Sequence, residues 1–260
     1  MKGMMNQCFG GGLDPHVQLL LTQAAIDGYT AASGSVLSAL NNFVIGLKVN
    51  NLWDLLDLLH VPATNGDSAF AGYNVKDATA HYMTAYNNIT FITKEGFVGN
   101  NIDSYLSSEI SLSTDPVNYS LSKASVGVYL KDNPQLSTSN QDLFIALGTY
   151  LTRLILNSTG AKWTRVNTSS NVYGNTARSG TGLFSLIRRS SLYVTLYKGS
   201  SSLGGISSGS NNGLPLGTNI TWMRNGYPGK MSLMYVSKDI QNELPTLNTL
   251  IEDYMTAIAA

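Results

Sequence analysis

Charge is scarce in this chain. Asp, Glu, Lys and Arg make up 12% of its 260 residues, about half the roughly 25% of an ordinary soluble domain. The 16 basic and 16 acidic residues cancel to a formal net charge of zero. Phosphate backbones are held by clustered Lys and Arg, so this balance argues against a nucleic-acid partner. Cysteine is nearly absent as well. Cys8 stands alone, so no intramolecular disulfide can form, and stability has to come from packing. No apolar run reaches the roughly 18 residues that a membrane span needs, and no membrane partner is expected. Met1 to Gly12 carries Lys2 but lacks the apolar centre of a secretory signal. A route out of a cell would then be release by lysis inside an assembled particle.

Chemistry-bearing residues are also few. His16, His60 and His81 lack metal-ligand spacing, so neither a metal nor another cofactor is expected. The glutamates are Glu95, Glu109, Glu243 and Glu252. Glycoside hydrolysis needs two carboxylates flanking one bond, about 5–9.5 Å apart. No pattern here sets up such a pair; Glu95 and Asp103 across a hairpin come nearest. A Gly-x-Ser-x-Gly elbow and a phosphate-binding Gly-Lys-Ser/Thr loop are both missing. Arg188 and Arg189 are adjacent, and neighbours on a strand face opposite ways, so they form no basic patch. The expectation is a protein that is not an enzyme.

What the chain does contain is apolar periodicity, first helical and then alternating. Residues 1–13 read as a flexible arm around Gly10-Gly11-Gly12, because glycine has the most backbone entropy to lose. Residues 14–62 read as a helical segment. Asp14-Pro15 signals a helix start, followed by Val17, Leu20, Leu21, Ala24 and Ala25. After Gly28 and Ser33-Gly34, a second helix capped by Ser35 carries Val36, Leu40, Phe43, Val44 and Leu47 on one stripe. A third, short helix is predicted with Leu52, Leu55, Leu56 and Leu59 inward and Asp54 and Asp57 outward, stopped by Pro62. These helices must pack on the rest of the chain or on a partner chain.

From residue 63 to 260 the pattern is a β-sandwich ending in a helix. Val126, Val128 and Leu130 alternate with polar or aromatic residues, as do Leu143, Ile145 and Leu147, then Leu192, Val194 and Leu196. Met231, Leu233 and Tyr235 are expected on one face of a late strand. Short strands between Gly/Asn/Ser turns argue for a sandwich over a parallel α/β sheet. Tyr193 and Tyr197 share a face where aromatic cross-strand pairing would help. Residues 199–213 are Gly/Ser-rich and fit either a mobile loop or a hairpin. Ile240, Leu244, Leu247, Leu250, Ile251 and Tyr254 mark the terminal helix, with Pro245 in its first turns and a separate turn near 238–243.

Two loops mix aromatics with hydrogen-bonding groups in the way sugar sites do, the ring taking the apolar sugar face and the polar groups fixing orientation. One holds Tyr173, Asn175 and Arg178; the other holds Trp222, Arg224 and Tyr227. The competing reading puts Trp222 in a strand core and leaves the rest as turn chemistry.

The segment Lys94 to Ser108, with Gly96-Phe97-Val98-Gly99, a polar turn and Asp103-Ser104-Tyr105-Leu106, resembles the entry hairpin of concanavalin A-like, laminin-G-type jelly rolls. Met234 to Ile240, followed by a helix, is similar to the closing strand and terminal helix of that family. Leu47-Lys-Val-Asn-Asn-Leu-Trp53, Asn74 to Asp77 and Ala80-His81, with the Gly96–Leu106 stretch, resemble a type found in structural proteins of tailed bacteriophages. Phe184–Arg188 and Leu192–Lys198 fit its later strands. The resemblance implies a mainly β, concanavalin A-like jelly-roll sandwich with an N-terminal helical segment and a C-terminal helix. It further implies a non-enzymatic virion protein on the outer surface of a head or tail, forming a homo-oligomer and touching other virion proteins through the arm and helices. A carbohydrate-binding module for host-surface glycans is the alternative. The lectin metal ligands and glucanase carboxylates of the wider family have no match here.

Overall fold

The computed structural model describes residues 12–132, 142–147, 151–155, 163–168, 172–173, 180–207, 213–215 and 219–260; of 163–164, 172–173 and 205–207 only the backbone is described. The predicted arm lies outside these residues, apart from its last two.

The first helix, α1 (Pro15–Asp27), begins as its sequence dictates. The Asp14 side chain accepts from the His16 N–H, and Pro15 sits where its missing N–H costs nothing. Gly28 closes it at φ 76°, a left-handed turn. The second, α2 (Gly34–Val49), buries all five residues of the predicted stripe, and its cap position falls on Ser33, not Ser35. Helix α3 (Ser68–Ala71) is a single turn capped by Asp67.

The strands follow as β1 (Leu56–His60), β2 (Met83–Tyr86), β3 (Thr90–Ile92), β4 (Gly96–Val98), β5 (Tyr105–Ser111), β6 (Ala124–Asp132), β7 (Asp142–Ala146) and β8 (Leu151–Ile155). Then come β9 (Trp163–Thr168), β10 (Val172–Tyr173), β11 (Gly182–Arg188), β12 (Tyr193–Lys198), β13 (Ser201–Ser207), β14 (Asn219–Arg224) and β15 (Lys230–Ser237), and the chain closes with helix α4 (Leu244–Ala259). The first sheet runs β13-β12-β11-β6-β15-β4-β3, with β1 also on β15; the second runs β10-β9-β8-β7-β14-β5-β2. Every pairing among them is antiparallel. The 199–213 stretch resolves, as far as Ser207, into the β12–β13 hairpin.

Two apolar layers hold the sheets and helices together. Between the sheets, Val126, Val128, Leu130, Phe184 and Leu186 meet Leu106, Ile110, Phe144, Leu154 and Trp222. On the other side of the first sheet, Tyr129, Leu183, Ile187, Leu233 and Tyr235 join a core with Leu47, Leu247, Ile251 and Ile258 of the helices. Each such large side chain contributes about 1.5–3 kcal/mol by leaving water. The order is therefore helices, first sheet, second sheet. The helices hide their apolar stripes on the sandwich, and α2 meets α4 where Phe43 and Tyr254 lie 5.5 Å apart.

Three expectations are corrected. No helix forms over Leu52–Leu59. A 3-10 turn, Trp53–Leu55, leads into β1, which pairs with β15. As a strand, the segment sends Leu58 into the layer between the sheets and Leu56 and Leu59 under the helices. A helix would leave the β15 edge unpaired and could not serve both layers. Asp57 is held here as well, its carboxylate accepting from the N–H groups of Val117, Asn118 and Tyr119 at 2.6–2.9 Å.

The second correction concerns residues 94–108. They form no hairpin: β4 belongs to the first sheet and β5 to the second, so residues 99–104 cross between sheets. Asn100 ties the crossing, its Oδ1 accepting from the N–H groups of Ile102, Asp103 and Ser104. Gly96 has φ 105°, and a Cβ there would sit 2.1 Å from the Met231 carbonyl oxygen. At Gly99 it would sit 2.2 Å from the Tyr227 carbonyl oxygen. Both glycines permit close backbone approach.

The third correction is in β15. Its register shifts on either side of Met231, so Met231 faces the second sheet while Leu233 and Tyr235 face the helices. Tyr193 and Tyr197 share one face of β12, where Tyr197 lies under the helices and Tyr193 is exposed at the strand's start.

Candidate functional site

The outward face of the second sheet can be read from its register. Leu106 points into the core, so its neighbours Tyr105 and Ser107 point away from it. Tyr86 pairs with Tyr105 and Thr84 with Ser107. Ser107 pairs with Thr221, Thr221 with Ile145, Ile145 with Arg153 and Arg153 with Arg165. One row of outward positions therefore crosses six strands, from hydroxyls at the β2 edge to arginines beyond β7.

At the β2 edge this face is open. The Tyr86 and Tyr105 rings stack with centroids 4.7 Å apart and 10° between planes. Tyr86 remains 42% exposed, so one aromatic face meets solvent. Two turns rich in Asn flank the pair. Asn100 Nδ2 donates to the Asn87 carbonyl oxygen and to Asp103 Oδ1, and Asn87 Nδ2 donates to the Asp103 carbonyl oxygen. Asn87, Asn88 and Asn101 all have φ between 56° and 62°. Short polar side chains tolerate that conformation best, which is why this junction is built from asparagine. The result is a rigid aromatic shelf bordered by amides, the hydroxyls of Thr84 and Ser107, and the exposed carboxylates of Asp103 and Glu109.

Toward β7 the face closes. Ile145 is buried. Arg153 forms an ion pair through Nε with Asp142 Oδ1, and the Asp142 side chain is almost wholly buried. Burial pushes the Asp142 carboxyl above the usual carboxylate range, opposed by the Arg153 hydrogen bond and by the charges of Arg153 and Arg224. Among the described residues, no group of three or more His, Cys, Asp or Glu could hold a metal ion. No helix among them is long and apolar enough to cross a membrane.

The residues singled out from sequence fare differently. Trp222 and Tyr227 are both fully buried and offer no platform, which corrects that expectation. Trp222 stands in β14 and packs edge-on against Phe144, its Nε1 donating to Ser108 Oγ at 3.2 Å. Arg224 ends the same strand opposite Asp142. Of Tyr173 only the backbone is described, in β10; Asn175 and Arg178 lie outside the described residues. Arg188 is buried, donating to the carbonyls of Val166, Ser190 and Ser191, while Arg189 is exposed, so the pair forms no basic patch. Sequence reading missed Tyr86. The signal was present as Tyr86-Asn87-Asn88 set against Asn100-Asn101 and Tyr105, two Asn-rich turns each flanked by a tyrosine.

Fold and face together define a jelly-roll β-sandwich with helices on one sheet and an aromatic shelf on the other. No protein-family model matches the chain, and no curated protein matches its sequence. Solved structures share the fold. Domain 4 of an extracellular arabinanase from Geobacillus stearothermophilus, in complex with arabinotriose, is 12% identical with a TM-score of 0.52, over 74% of this chain and 98% of that one. A sialidase from Trypanosoma rangeli, in complex with sialic acid, is 9% identical with a TM-score of 0.54, over 84% of this chain and 39% of that one. Botulinum neurotoxin type C, whose cell entry depends on interaction with two ganglioside molecules, is 10% identical with a TM-score of 0.51, over 78% and 53%. The likeness thus spans nearly all of the arabinanase domain, but about two-fifths of the sialidase and half of the toxin chain. At such identities it shows the fold alone.

Proposed function

We propose that this chain is a non-catalytic glycan-binding domain that takes a neutral sugar on the Tyr86–Tyr105 shelf. The observation that carries the reading is the stacked pair itself, exposed on the sheet that the helices leave uncovered. Stacking on Tyr105 fixes the Tyr86 ring before a ligand arrives, so little side-chain entropy is lost on binding. The apolar face of a pyranose or furanose would lie on the ring, with Thr84, Ser107 and the Asn-rich turns meeting its hydroxyls. Asp103 and Glu109 flank the shelf and would repel an acidic sugar, which sets the preference for neutral ones. These carboxylates do not suit hydrolysis. Glu109 lies four residues along β5 from Tyr105, about 13 Å at strand rise, and Asp103 lies on the other side of that tyrosine, so the pair exceeds the roughly 5–9.5 Å that catalysis uses. The similar arabinanase domain, matched over nearly its whole length and solved in complex with arabinotriose, supports glycan recognition as a use of this fold.

The test is a glycan array probed with the full chain, with Tyr86→Ala and with Tyr105→Ala. About 50 Å² of apolar sugar surface on the ring is worth roughly 1.3 kcal/mol, so each variant is expected to lose about tenfold in affinity. Tyr86→Ala removes one exposed stack and should cost only about 0.5–1 kcal/mol of stability. Binding to no neutral glycan, or undiminished binding by both variants, overturns the reading.

A second reading accompanies it: a virion component on the outer surface of a particle, presenting the sandwich to a host-surface glycan. Leu19 and Ile26, at 62% and 72% exposure, leave apolar surface on α1 of the kind a neighbouring subunit would cover. Leu19→Glu with Ile26→Glu should then reduce incorporation into assembled particles without altering glycan binding; unchanged incorporation would remove this reading.

A further inference from the structure

The ladder between β2 and β5 runs one pair beyond Met83 and Ser108. The Glu109 N–H donates to the Tyr82 carbonyl oxygen at 3.1 Å, so Tyr82 stands opposite Glu109 just before β2. Met83 packs between the sheets, so Tyr82 shares the outward face with Thr84 and Tyr86. Four residues separate Tyr82 from Tyr86, about 13 Å at strand rise. Thr84 and Ser107 occupy the outward positions between them.

The Tyr82 ring is also held in place. It lies 5.4 Å from the ring of buried Tyr73, at 53°. Tyr73 is fixed in turn by Phe70, edge-on at 5.9 Å, and through its hydroxyl, which donates to Asp27 Oδ2. The Met83 N–H donates to the Gly72 carbonyl oxygen, which brings this cluster against the edge of β2. Tyr82 is nonetheless only half-buried. Tyr29, 6.0 Å from Tyr73 and 41% exposed, continues the aromatic surface past the sheet.

The outward face thus carries two preset aromatic contacts at a spacing that one sugar ring cannot span. We propose that the ligand is a neutral oligosaccharide of about three units or more, lying along β2 with one unit on Tyr86 and another on Tyr82. This rests on the glycan reading of the shelf and adds the length and direction of the bound chain. A unit between the two rings would meet the Thr84 and Ser107 hydroxyls, and the exposed Glu109 beside Tyr82 would accept from a sugar hydroxyl. Once one unit sits on Tyr86, contact with Tyr82 is intramolecular, so affinity climbs with chain length.

The experiment is an NMR titration of the full chain, its tyrosine rings labelled with carbon-13. The probes are malto-, cello-, manno- and arabino-oligosaccharides, each from one to four units. In at least one series the tetrasaccharide should bind tenfold or more tighter than the monosaccharide, and it should move the Tyr82 resonance. Tyr82→Ala should remove that gain and leave the monosaccharide affinity unchanged, whereas Tyr86→Ala should weaken every member. Should Tyr82→Ala fail to fold, the Tyr82 resonance of the parent decides: a bound tetrasaccharide that leaves it unmoved overturns the inference. So does equal affinity along every series, or a length gain that survives Tyr82→Ala; where Tyr86→Ala still weakens binding, the shelf stands without its extension. Binding in no series overturns the inference as well, and the glycan array then decides the shelf.

Discussion

Gly96 shows how narrowly single positions are set. Its φ of 105° is costly for any residue with a Cβ, and that Cβ would meet the Met231 carbonyl oxygen. Gly96→Ala should therefore destabilise by about 3 kcal/mol or more, read as a lower urea midpoint with unchanged slope; a loss under about 1 kcal/mol would show that β4 can shift away from β15. The need for glycine at 96 and 99 is legible in the sequence. The partners that require it are not, because Met231 and Tyr227 lie more than a hundred residues away. The same limit explains the misread aromatics. Trp222 and Tyr227 stand beside Asn, Gly and Arg as sugar-binding rings often do, yet Phe144 and Ser108 enclose Trp222. Tyr86 looked unremarkable until strand pairing set it against Tyr105.

At the scale of elements, β1 is the informative case. Its leucine spacing fits a helix, but the unpaired stretch of β15 beside β4 offers ladder hydrogen bonds that a helix cannot use. Tertiary pairing overrides a short helical pattern. β1 also carries His60, which is fully buried with Nδ1 3.0 Å from the Tyr73 carbonyl oxygen and Nε2 unpartnered. Burial lowers its pKa from 6.5 to about 4. Between those values the unfolded chain binds the proton and the folded chain does not, so stability rises with pH across this window. As pH falls from about 6.5 to 4 the fold should lose up to about 3 kcal/mol from this group. Urea melts at several pH values check this: His60→Leu should flatten the slope in that window, whatever its absolute stability, and an unaltered slope would assign the acid sensitivity elsewhere. Helix α4, by contrast, was legible as an element, although Ile240, read as part of its stripe, lies before its first turn. Its apolar stripe is long, and Pro245 fixes its start one residue before itself.

The whole molecule is a sandwich with unequal faces. One sheet is covered by helices, and the other meets solvent at its β2 edge through Tyr86, Thr84, Ser107 and the Asn-rich turns. Alternating strands and terminal helices were readable because both patterns repeat over many residues. The sheet order was not, because the chain changes sheet at residues 87–89 and again at 99–104, and only turn geometry marks those crossings. The shelf is a product of the crossings: they bring β2 beside β5 and set Tyr86 on Tyr105. Selective carbon-13 labelling of the 14 tyrosine rings, titrated with the neutral oligosaccharide bound best on the array, tests this most directly. The Tyr86 and Tyr105 resonances should shift with saturation, and sugar C–H protons should move upfield under the ring current, while buried Tyr227 and Tyr235 stay fixed. Saturable binding that leaves Tyr86 and Tyr105 unmoved would contradict the account.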